Sequence, residues 1–283
     1  MLKLIIADLK VNITGDINQF FMDRCKAYES DFKENADITI HCEYFNNIEK
    51  PMGKIISSTE QNATYYYDTN GNFGYYFTYP DTGKIYLSVL INKNHASVKI
   101  YDHDNNPNLD FSYPVLNTTD KAFRYPLLNY NGLVIHASSI VYENYGIAFS
   151  APSGTGKSTQ TALWLENYSA KIINDDSPII RFENNSSYIY GSPWAGSTGI
   201  NTNLKVPLKA IIFLEQAPAN TIEKIMPEVA FKKIAKEINT PRENVYLLKT
   251  LTLLDTLLKN TDCYILKCTP DKRASDLVKS TIF

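Results

Sequence analysis

The sequence predicts an α/β (α+β) protein in which a mixed β-sheet with flanking helices follows a β-rich N-terminal region. Up to about residue 120, short runs of alternating apolar and polar residues are separated by Asn- and Gly-containing turns, which indicates strands. Beyond that point, apolar strand-like runs alternate with segments of helical periodicity. The chain is 44% hydrophobic and 20% charged, which is typical of a globular protein with a real core. We therefore expect a β-rich region at residues 1–120 and a second domain at residues 121–283.

The N-terminal region contains several short elements. Its patterns predict a helix at residues 18–29 and strands at residues 2–10, 38–45, 84–91 and 95–101. Two Tyr-rich strands within residues 64–79 flank Asn70 and Gly71, a pair that favours a tight hairpin turn. Residues 102–110 are polar and Asn-rich, which predicts a loop. This region matches no motif that we can name, and we expect it to bind a substrate or a partner.

The second domain begins with an apolar stretch, residues 122–130, which contains Pro126 and forms either a short helix or a connection. Two strands, residues 133–142 and 145–150, should then form an antiparallel pair. Further patterns predict a hairpin within residues 179–190, strands at residues 170–176, 208–215 and 263–268, and helices at residues 227–238, at residues 244–259 and after Pro270.

The stretch Ala151-Pro-Ser-Gly-Thr-Gly-Lys-Ser-Thr159 lies between the strand at residues 145–150 and a helix that should end near Tyr168. A strand, a Gly-rich turn, Lys-Ser/Thr and a helix form the pattern of a phosphate-binding P-loop. Backbone N–H groups and the helix N-terminus attract a polyphosphate there, so ATP is the expected ligand. Lys157 would reach the β- and γ-phosphates, and the Ser158 hydroxyl would bind Mg²⁺. The nucleotide-binding residues that we predict are Ser153, Gly154, Thr155, Gly156, Lys157, Ser158 and Thr159.

The first position of this pattern departs from the strict form, which has Gly where this chain has Ala151. Because Ala tolerates a positive φ poorly, we expect an ordinary backbone conformation at Ala151. The residues that approach phosphate are all present. The alternative interpretation is a strand–turn–helix in which Gly-Lys-Ser occurs by coincidence.

Two further polar features flank the P-loop in the sequence. His136 lies in the strand before it, where it is either a structural residue or a group close to the phosphates. Asp175 and Asp176 end the strand after the P-loop helix, where carboxylates can bind Mg²⁺ or accept the proton of a substrate hydroxyl. Adjacent side chains on a regular strand point to opposite faces, unless the strand ends between them. The alternative is an Asp-Asp turn without a chemical role.

A Gly- and Ser-rich loop at residues 191–199 is the third candidate segment, because rigid scaffolds often position functional loops. Trp194 would form a pocket wall, while Ser192, Ser197 and Thr198 would donate hydrogen bonds to a substrate. The alternative, which we weigh equally, is a structural turn around a buried Trp.

The combination of Ile135-His-Ala-Ser-Ser-Ile-Val, the P-loop and Ile173-Asn-Asp-Asp resembles the HPr kinase/phosphorylase and phosphoenolpyruvate carboxykinase superfamily. In that superfamily a His-containing strand precedes the P-loop and an Asp-Asp pair follows it. The resemblance covers about half of the chain, including residues 191–196 and 208–216. It implies an HPr-kinase-like fold for the second domain.

The resemblance also implies roles for the polar residues. Asp175 would be the catalytic base that acts on a substrate hydroxyl, and Asp176 the carboxylate that binds the metal with Ser158, although the two roles could be reversed. His136 and Lys157 would complete the catalytic set. The chain departs from the HPr kinases after the Asp-Asp pair, where residues 192–199 lack the acidic and Arg residues of the signature that docks HPr. HPr itself is therefore not the expected substrate.

The sequence thus predicts an ATP- and Mg²⁺-dependent kinase that phosphorylates a hydroxyl, of serine type, on a peptide, protein or small molecule. The alternatives are a nucleotide-binding regulatory or partner-binding protein without turnover and, third, a carboxykinase, for which the chain looks too short and the oxaloacetate-binding residues cannot be placed. The resemblance permits a homo-oligomer.

The charge and composition of the chain indicate which partners and which cellular location to expect. A formal net charge of −2 without a long basic run gives no reason to expect a nucleic-acid partner. We expect no membrane partner, because no apolar run is long enough to span a bilayer and the N-terminal run is too short for a signal peptide. The four cysteines form no C-x-x-C pair, which predicts reduced thiols and a cytoplasmic protein.

Overall fold

The computed structural model describes residues 1–59, 64–69, 72–101, 112–238 and 244–283. The chain divides into two units. The first comprises Met1–Tyr130 and a short segment that ends at Leu247, and the second comprises the other residues from Asn131 to Phe283. Among the helices described, none is long and apolar enough to cross a membrane.

The first unit is built on one large sheet, which has eight strands among the described residues. The sheet order is β1-β2-β3-β8-β7-β6-β5-β4, in which β2–β3 and β3–β8 are parallel pairs and the other pairs are antiparallel. The strands are β1 (Leu2–Ile6), β2 (Leu9–Gly15), β3 (Ile38–Phe45), β4 (Lys54–Thr59), β5 (Thr64–Thr69), β6 (Asn72–Thr78), β7 (Ile85–Asn92) and β8 (His95–Tyr101). The helices are α1 (Gln19–Cys25) and α2 (Ser112–Leu127), followed by 3-10 turns at Lys26–Tyr28 and Leu128–Tyr130, respectively.

Helix α2 lies in the first unit, just before the boundary between the two units. It packs on β3, β7 and β8, and it buries Val115, Phe123 and Leu127. The boundary expected near residue 120 lies within this helix, and the division falls after Tyr130 instead. The stretch around Pro126 is therefore the C-terminal part of a longer helix, and Pro126, which has no backbone N–H to donate, lies in its last turn just before the 3-10 turn at Leu128–Tyr130.

The predicted strand at residues 2–10 is instead a hairpin. β1 and β2 pair antiparallel, and the turn residues Ala7 and Asp8 have φ values of 50° and 61°. The sequence missed this turn because Ala gives no turn signal. The Tyr-rich hairpin is confirmed, since β5 and β6 pair antiparallel. Its predicted Asn70-Gly71 turn and the predicted loop at residues 102–110 lie outside the described residues.

The second unit is also built on a mixed sheet. Among the described residues the sheet path is β12-β10-β11-β15-β14-β13-β9, and β17 pairs with β15 and β16. The strands are β9 (Gly132–Val134), β10 (Ala137–Tyr142), β11 (Tyr145–Ser150), β12 (Lys171–Asn174), β13 (Ile179–Glu183), β14 (Ser186–Tyr190), β15 (Lys205–Gln216), β16 (Thr221–Lys224) and β17 (Asp262–Cys268). The helices are α3 (Lys157–Tyr168), α4 (Pro227–Glu237), α6 (Lys272–Ile282) and α5 (Asn244–Asn260), of which the residues up to Leu247 belong to the first unit.

Strands β11, β15 and β17 form the parallel centre of this sheet. Helices α3 and α6 cover one face, where Trp164 and Val278 pack with Phe149, Ile212 and Leu214. Phe213 points to the opposite face because side chains alternate along a strand, and Lys233 of α4 lies over its ring. Helices therefore flank both faces, and the predicted fold class, a mixed sheet with flanking helices after a β-rich N-terminal region, is confirmed.

Two predicted strands of this unit end differently from the expectation. Residues 133–142 form two strands, β9 and β10, and His136 lies in the break between them. The predicted strand at residues 170–176 ends at Asn174, so Asp175 and Asp176 both follow it. The apolar runs predict strands correctly here but do not show where hydrogen-bonded pairing stops. The antiparallel pairing predicted for the strand before the P-loop strand is confirmed between β10 and β11.

A close cross-strand contact in the first unit gives a test of this sheet. Gly74 on β6 lies opposite Tyr67 on β5, and a Cβ added to Gly74 would come within 2.3 Å of the Tyr67 ring. We predict that Gly74→Ala lowers the free energy of unfolding by about 1–3 kcal/mol, measured by urea denaturation, because the buried ring cannot move without strain. In a Tyr67→Leu background the same substitution should cost much less. Equal costs in both backgrounds would contradict the packing described.

Candidate functional site

Five strands of the second sheet begin or end at one of its edges. β10 runs antiparallel to β11 and to β12, so its first residue, Ala137, lies opposite Ser150 at the end of β11. β15 and β17 run parallel to β11 and end together, with Gln216 opposite Cys268. Ligands of open α/β sheets bind at the carboxyl ends of parallel strands. The site predicted from the sequence falls at this edge.

The predicted P-loop joins β11 to α3 at this edge. Gly154 and Gly156 have φ values of 78° and 119°, which L-amino-acid side chains rarely adopt, and Gly156 is the N-cap of α3. The first turn of α3 contains no acidic residue. Its N–H groups have no acceptor within the helix, so the helix N-terminus offers donors and partial positive charge to an anion. Ala151 is buried and is not among the residues with positive φ, as expected for an Ala at this position.

Lys157, the first residue of α3, folds back on the loop. Its Nζ donates a hydrogen bond to the Ala151 carbonyl oxygen at 2.7 Å. Burial lowers the pKa of Lys157, and the negative charges of Asp176 and Glu237 act in the opposite direction. The ammonium group therefore lies in a partly buried position at the loop, with two carboxylates near enough to affect it.

His136 is held between two carboxylates. Its Nδ1 lies 2.9 Å from Glu237 Oε2, and its Nε2 lies 3.4 Å from Asp176 Oδ1. The backbone N–H of His136 also donates to the Glu237 carbonyl oxygen at 2.9 Å. The hydrogen bond with Asp176 is the main cause that raises the pKa of His136 above its usual 6.5; Glu237 adds to it, while burial and Lys157 oppose it.

Glu237 is the site residue that the sequence analysis missed. It is the last residue of α4 and lies 101 positions after His136 in the chain. Its side chain is only 14% exposed. Nothing in the local sequence marks it, because a single Glu at the end of an amphipathic helix is typical of a solvated surface. Only the position of α4 relative to β10 brings it to His136.

The two carboxylates after β12 have different surroundings. Asp175 Oδ1 accepts a hydrogen bond from the Gly196 N–H at 2.6 Å, and Asp175 Oδ2 accepts one from the Thr198 hydroxyl. Asp176 lies instead beside His136 and affects Lys157. Buried Asn174 holds this turn, because its Oδ1 accepts from the N–H groups of Asp176 and Ser177.

The loop at residues 191–199 is partly structural. Trp194 is only 2% exposed, so it packs inside the unit, and buried Ser192 donates to the Ser177 carbonyl oxygen. A Cβ on Gly191 would lie 1.8 Å from the Thr202 carbonyl oxygen, which requires Gly at that position. The exposed end of the loop carries Thr198, whose contact with Asp175 connects the loop to the site.

A cavity of about 500 Å³ lies beside the P-loop on the β15–β17 side. Its walls come from the P-loop, the start of α3 and the chain just after β15 and β17. The lining residues are Gly154, Thr155, Gly156, Thr159, Gln160, Gln216, Ala217, Cys268, Thr269 and Pro270. The volume lies in the range of small-molecule sites.

The residues present fit a magnesium-bound polyphosphate. The loop donors and the helix N-terminus match an anion, and the Ser158 hydroxyl and the Asp176 carboxylate are oxygen ligands of the kind that Mg²⁺ prefers. Within the described part of the chain, no group of three or more His, Cys, Asp or Glu residues could hold a metal ion alone. Mg²⁺ usually binds one or two protein oxygens together with substrate phosphates and water.

Comparisons with known proteins find similarity among solved structures but not among family models or curated proteins. No family model and no curated protein matches the sequence. A search of solved structures finds the HPr(Ser) kinase/phosphatase from Coxiella burnetii, with 14% sequence identity and a TM-score of 0.32. The match covers 52% of this chain and 95% of that chain.

The contact between Glu237 and His136 gives a prediction that does not depend on any ligand. Glu237→Gln removes one of the two negative charges that raise the His136 pKa, so this pKa should fall. A pH titration of the histidine ring signals by NMR measures it, and His41 in the first unit serves as the internal reference. An unchanged His136 pKa in the variant would contradict the contact.

The raised pKa also predicts how stability depends on pH. The folded protein binds the His136 proton more tightly than the unfolded chain does. The stability that this proton adds is therefore fully present below the usual pKa of histidine, and it is lost as the pH rises through the pKa of the folded state. The difference in unfolding free energy between the wild type and Glu237→Gln should therefore be larger at about pH 5.5 than at about pH 8.5. Urea denaturation at both pH values measures it. A difference that grows with pH would show that the sign is wrong.

Proposed function

We propose that this protein is a kinase that transfers the γ-phosphoryl group of ATP to a hydroxyl, of serine type, on a peptide, protein or small molecule. The observation that carries the proposal is the arrangement around Lys157. A loop suited to phosphate lies at the same sheet edge as two carboxylates and a histidine. The combination supplies both an anion site and a group that can accept a proton. We also propose that the activity depends on ATP and Mg²⁺. The proposed location of the protein is the cytoplasm.

The roles of the residues follow from their surroundings. Lys157 and the N–H groups at the start of α3 would bind the β- and γ-phosphates, and Ser158 and Asp176 would hold Mg²⁺, which neutralises phosphate charge when bound. Asp175 is the proposed base. It already accepts a hydrogen bond from one hydroxyl, that of Thr198, as it would from an acceptor. His136 and Glu237 would fix the orientation of Asp176.

The proposed reaction is an in-line displacement. The acceptor hydroxyl oxygen forms a bond to the γ-phosphorus while the bond from that phosphorus to the β–γ bridging oxygen breaks. ADP leaves, and the hydroxyl proton passes to the Asp175 carboxylate. Lys157 and the loop N–H groups hold the charge that develops on the transferred group.

For the first unit we propose substrate or partner binding. β4 is the last strand in the order of the eight-stranded sheet among the described residues, and Ile55 and Ile56 on it are 39% and 43% exposed. Exposed apolar residues on an edge strand favour pairing with another chain. Ile55→Lys should weaken such binding without affecting the binding of ATP. Size-exclusion chromatography with multi-angle light scattering would show whether the second chain is another copy of this protein.

A second function rests on a specific observation. The Lys157 ammonium is bonded to the loop carbonyl of Ala151, and both Asp175 oxygens have donors within the protein. A site whose reactive groups are internally satisfied also suits a nucleotide-binding regulatory or partner-binding protein without turnover. That alternative expects ATP to bind while no phosphorylated product forms.

Substitution of the three charged residues tests the kinase proposal. Asp175→Asn should lower kcat by about 10²–10⁴-fold with unchanged ATP affinity, because it removes only the proton acceptor. Asp176→Asn should weaken the Mg²⁺-dependent part of ATP binding, and Lys157→Ala should weaken ATP binding with or without Mg²⁺. The measurements are calorimetry with ATP and phosphorylation assays with free serine and a Ser/Thr peptide library. Asp255→Asn, an exposed pair partner of Lys259 on α5, is the matched control.

The outcomes separate the two functions. Turnover that depends on Asp175 and Lys157 supports the kinase. ATP binding without any phosphorylated product from these acceptors favours the regulatory alternative. Equal turnover of ATP by the wild type and all three variants would exclude the proposed site.

A further inference from the structure

The cavity on the β15–β17 side of the P-loop contains groups that no proposed step uses. The sheet order is β12-β10-β11-β15, with β17 next to β15. His136, Asp175 and Asp176 therefore lie on the β10–β12 side of the P-loop, whereas the cavity lies on its other side. The P-loop therefore separates the cavity from the residues that are proposed to bind the acceptor hydroxyl and take its proton. If the phosphates of a nucleoside triphosphate bind in the P-loop, its nucleoside still needs a binding site.

Gln160 is the residue that points to a ligand in this cavity. It lines the cavity, and its side chain is 2% exposed. Its Nε2 donates to Cys268 Sγ at 3.5 Å, while its Oε1 is a buried acceptor with no hydrogen-bond partner among the described residues. A buried acceptor left without a donor is destabilising, because it has lost its hydrogen bonds to water without replacement. A ligand that brings an N–H donor would recover this cost.

We propose that the cavity binds the nucleoside part of the donor and that Gln160 Oε1 accepts a hydrogen bond from the exocyclic amino group of a purine. This inference rests on the proposed function and adds the choice of base to it. Adenine presents an amino group at position 6, whereas hypoxanthine presents a carbonyl oxygen there. An acceptor opposite an acceptor is unfavourable, so the site prefers ATP to inosine triphosphate.

Cys268 provides a direct test of occupancy. It lines the cavity and is partly exposed, whereas Cys25, Cys42 and Cys263 are buried. Burial raises the pKa of Cys42 and Cys263 to about 12, which keeps those thiols protonated and slow to react. Alkylation should therefore modify Cys268 first, and the three buried thiols serve as internal controls within the same chain.

The first experiment compares ATP with tripolyphosphate, which has the phosphates but no nucleoside. We expect saturating ATP to slow the alkylation of Cys268 by iodoacetamide at least about tenfold, followed by peptide mass spectrometry. Tripolyphosphate should bind and compete with ATP but leave the alkylation rate of Cys268 unchanged. Equal protection by both, or no protection by bound ATP, overturns the proposed cavity. If neither binds, the proposed function fails, and the cavity assignment with it.

The second experiment tests the base contact by calorimetry. Gln160→Leu removes the unpaired acceptor and keeps an apolar side chain of similar size, so the fold should be retained. It should weaken ATP binding about tenfold, leave tripolyphosphate binding unchanged, and abolish the preference of ATP over inosine triphosphate. Glu166→Gln, on the exposed side of α3, is the matched control. A Gln160→Leu variant that still prefers ATP, or a wild type without preference, overturns the role of Gln160.

Discussion

The parallel pairing of β11 with β15 is the constraint on which the rest of the second unit depends. It places the end of β11, and so the loop before Lys157, next to the end of β15. β10 and β12 pair on the other side of β11 and bring His136 and the two aspartates to the same edge. Backbone hydrogen bonds therefore position side chains that are up to 101 residues apart. The site therefore depends on strand order, which brings its segments to one edge, and on α4, which carries Glu237.

Charge balance at this edge is the second organising feature. A lysine, a histidine and two carboxylates, Asp176 and Glu237, lie close enough to affect one another. Lys157 and His136 are both partly buried, and a partly buried charge is costly unless an opposite charge or a hydrogen bond compensates it. Asp175 is held apart from this group by the Gly196 N–H and the Thr198 hydroxyl. The arrangement gives two adjacent aspartates different electrostatic surroundings.

Local sequence predicted those parts of the fold and the candidate site that depend on local pattern. The alternation in the N-terminal region predicted β3 and β8, and the Gly-Lys-Ser pattern predicted where α3 begins. The sequence could not show that the strand around His136 breaks, because its apolar run continues through the break. Glu237 was missed because its partner is distant in the chain, and the hairpin of β1 and β2 was missed because Ala7 gives no turn signal. In each case the missing information is tertiary pairing.

The order of strands in the first unit also has a kinetic consequence. The hairpin of β1 and β2 and the run β4 to β7 pair neighbours along the chain, so their contacts close short loops. β3 and β8 are different, because their parallel register joins residues such as Thr39 and His95, 56 positions apart. Closing so long a loop is slow, since its entropic cost precedes any stabilising contact. The hairpins of this unit should thus form first, and the unit should complete its folding when β8 docks beside β3.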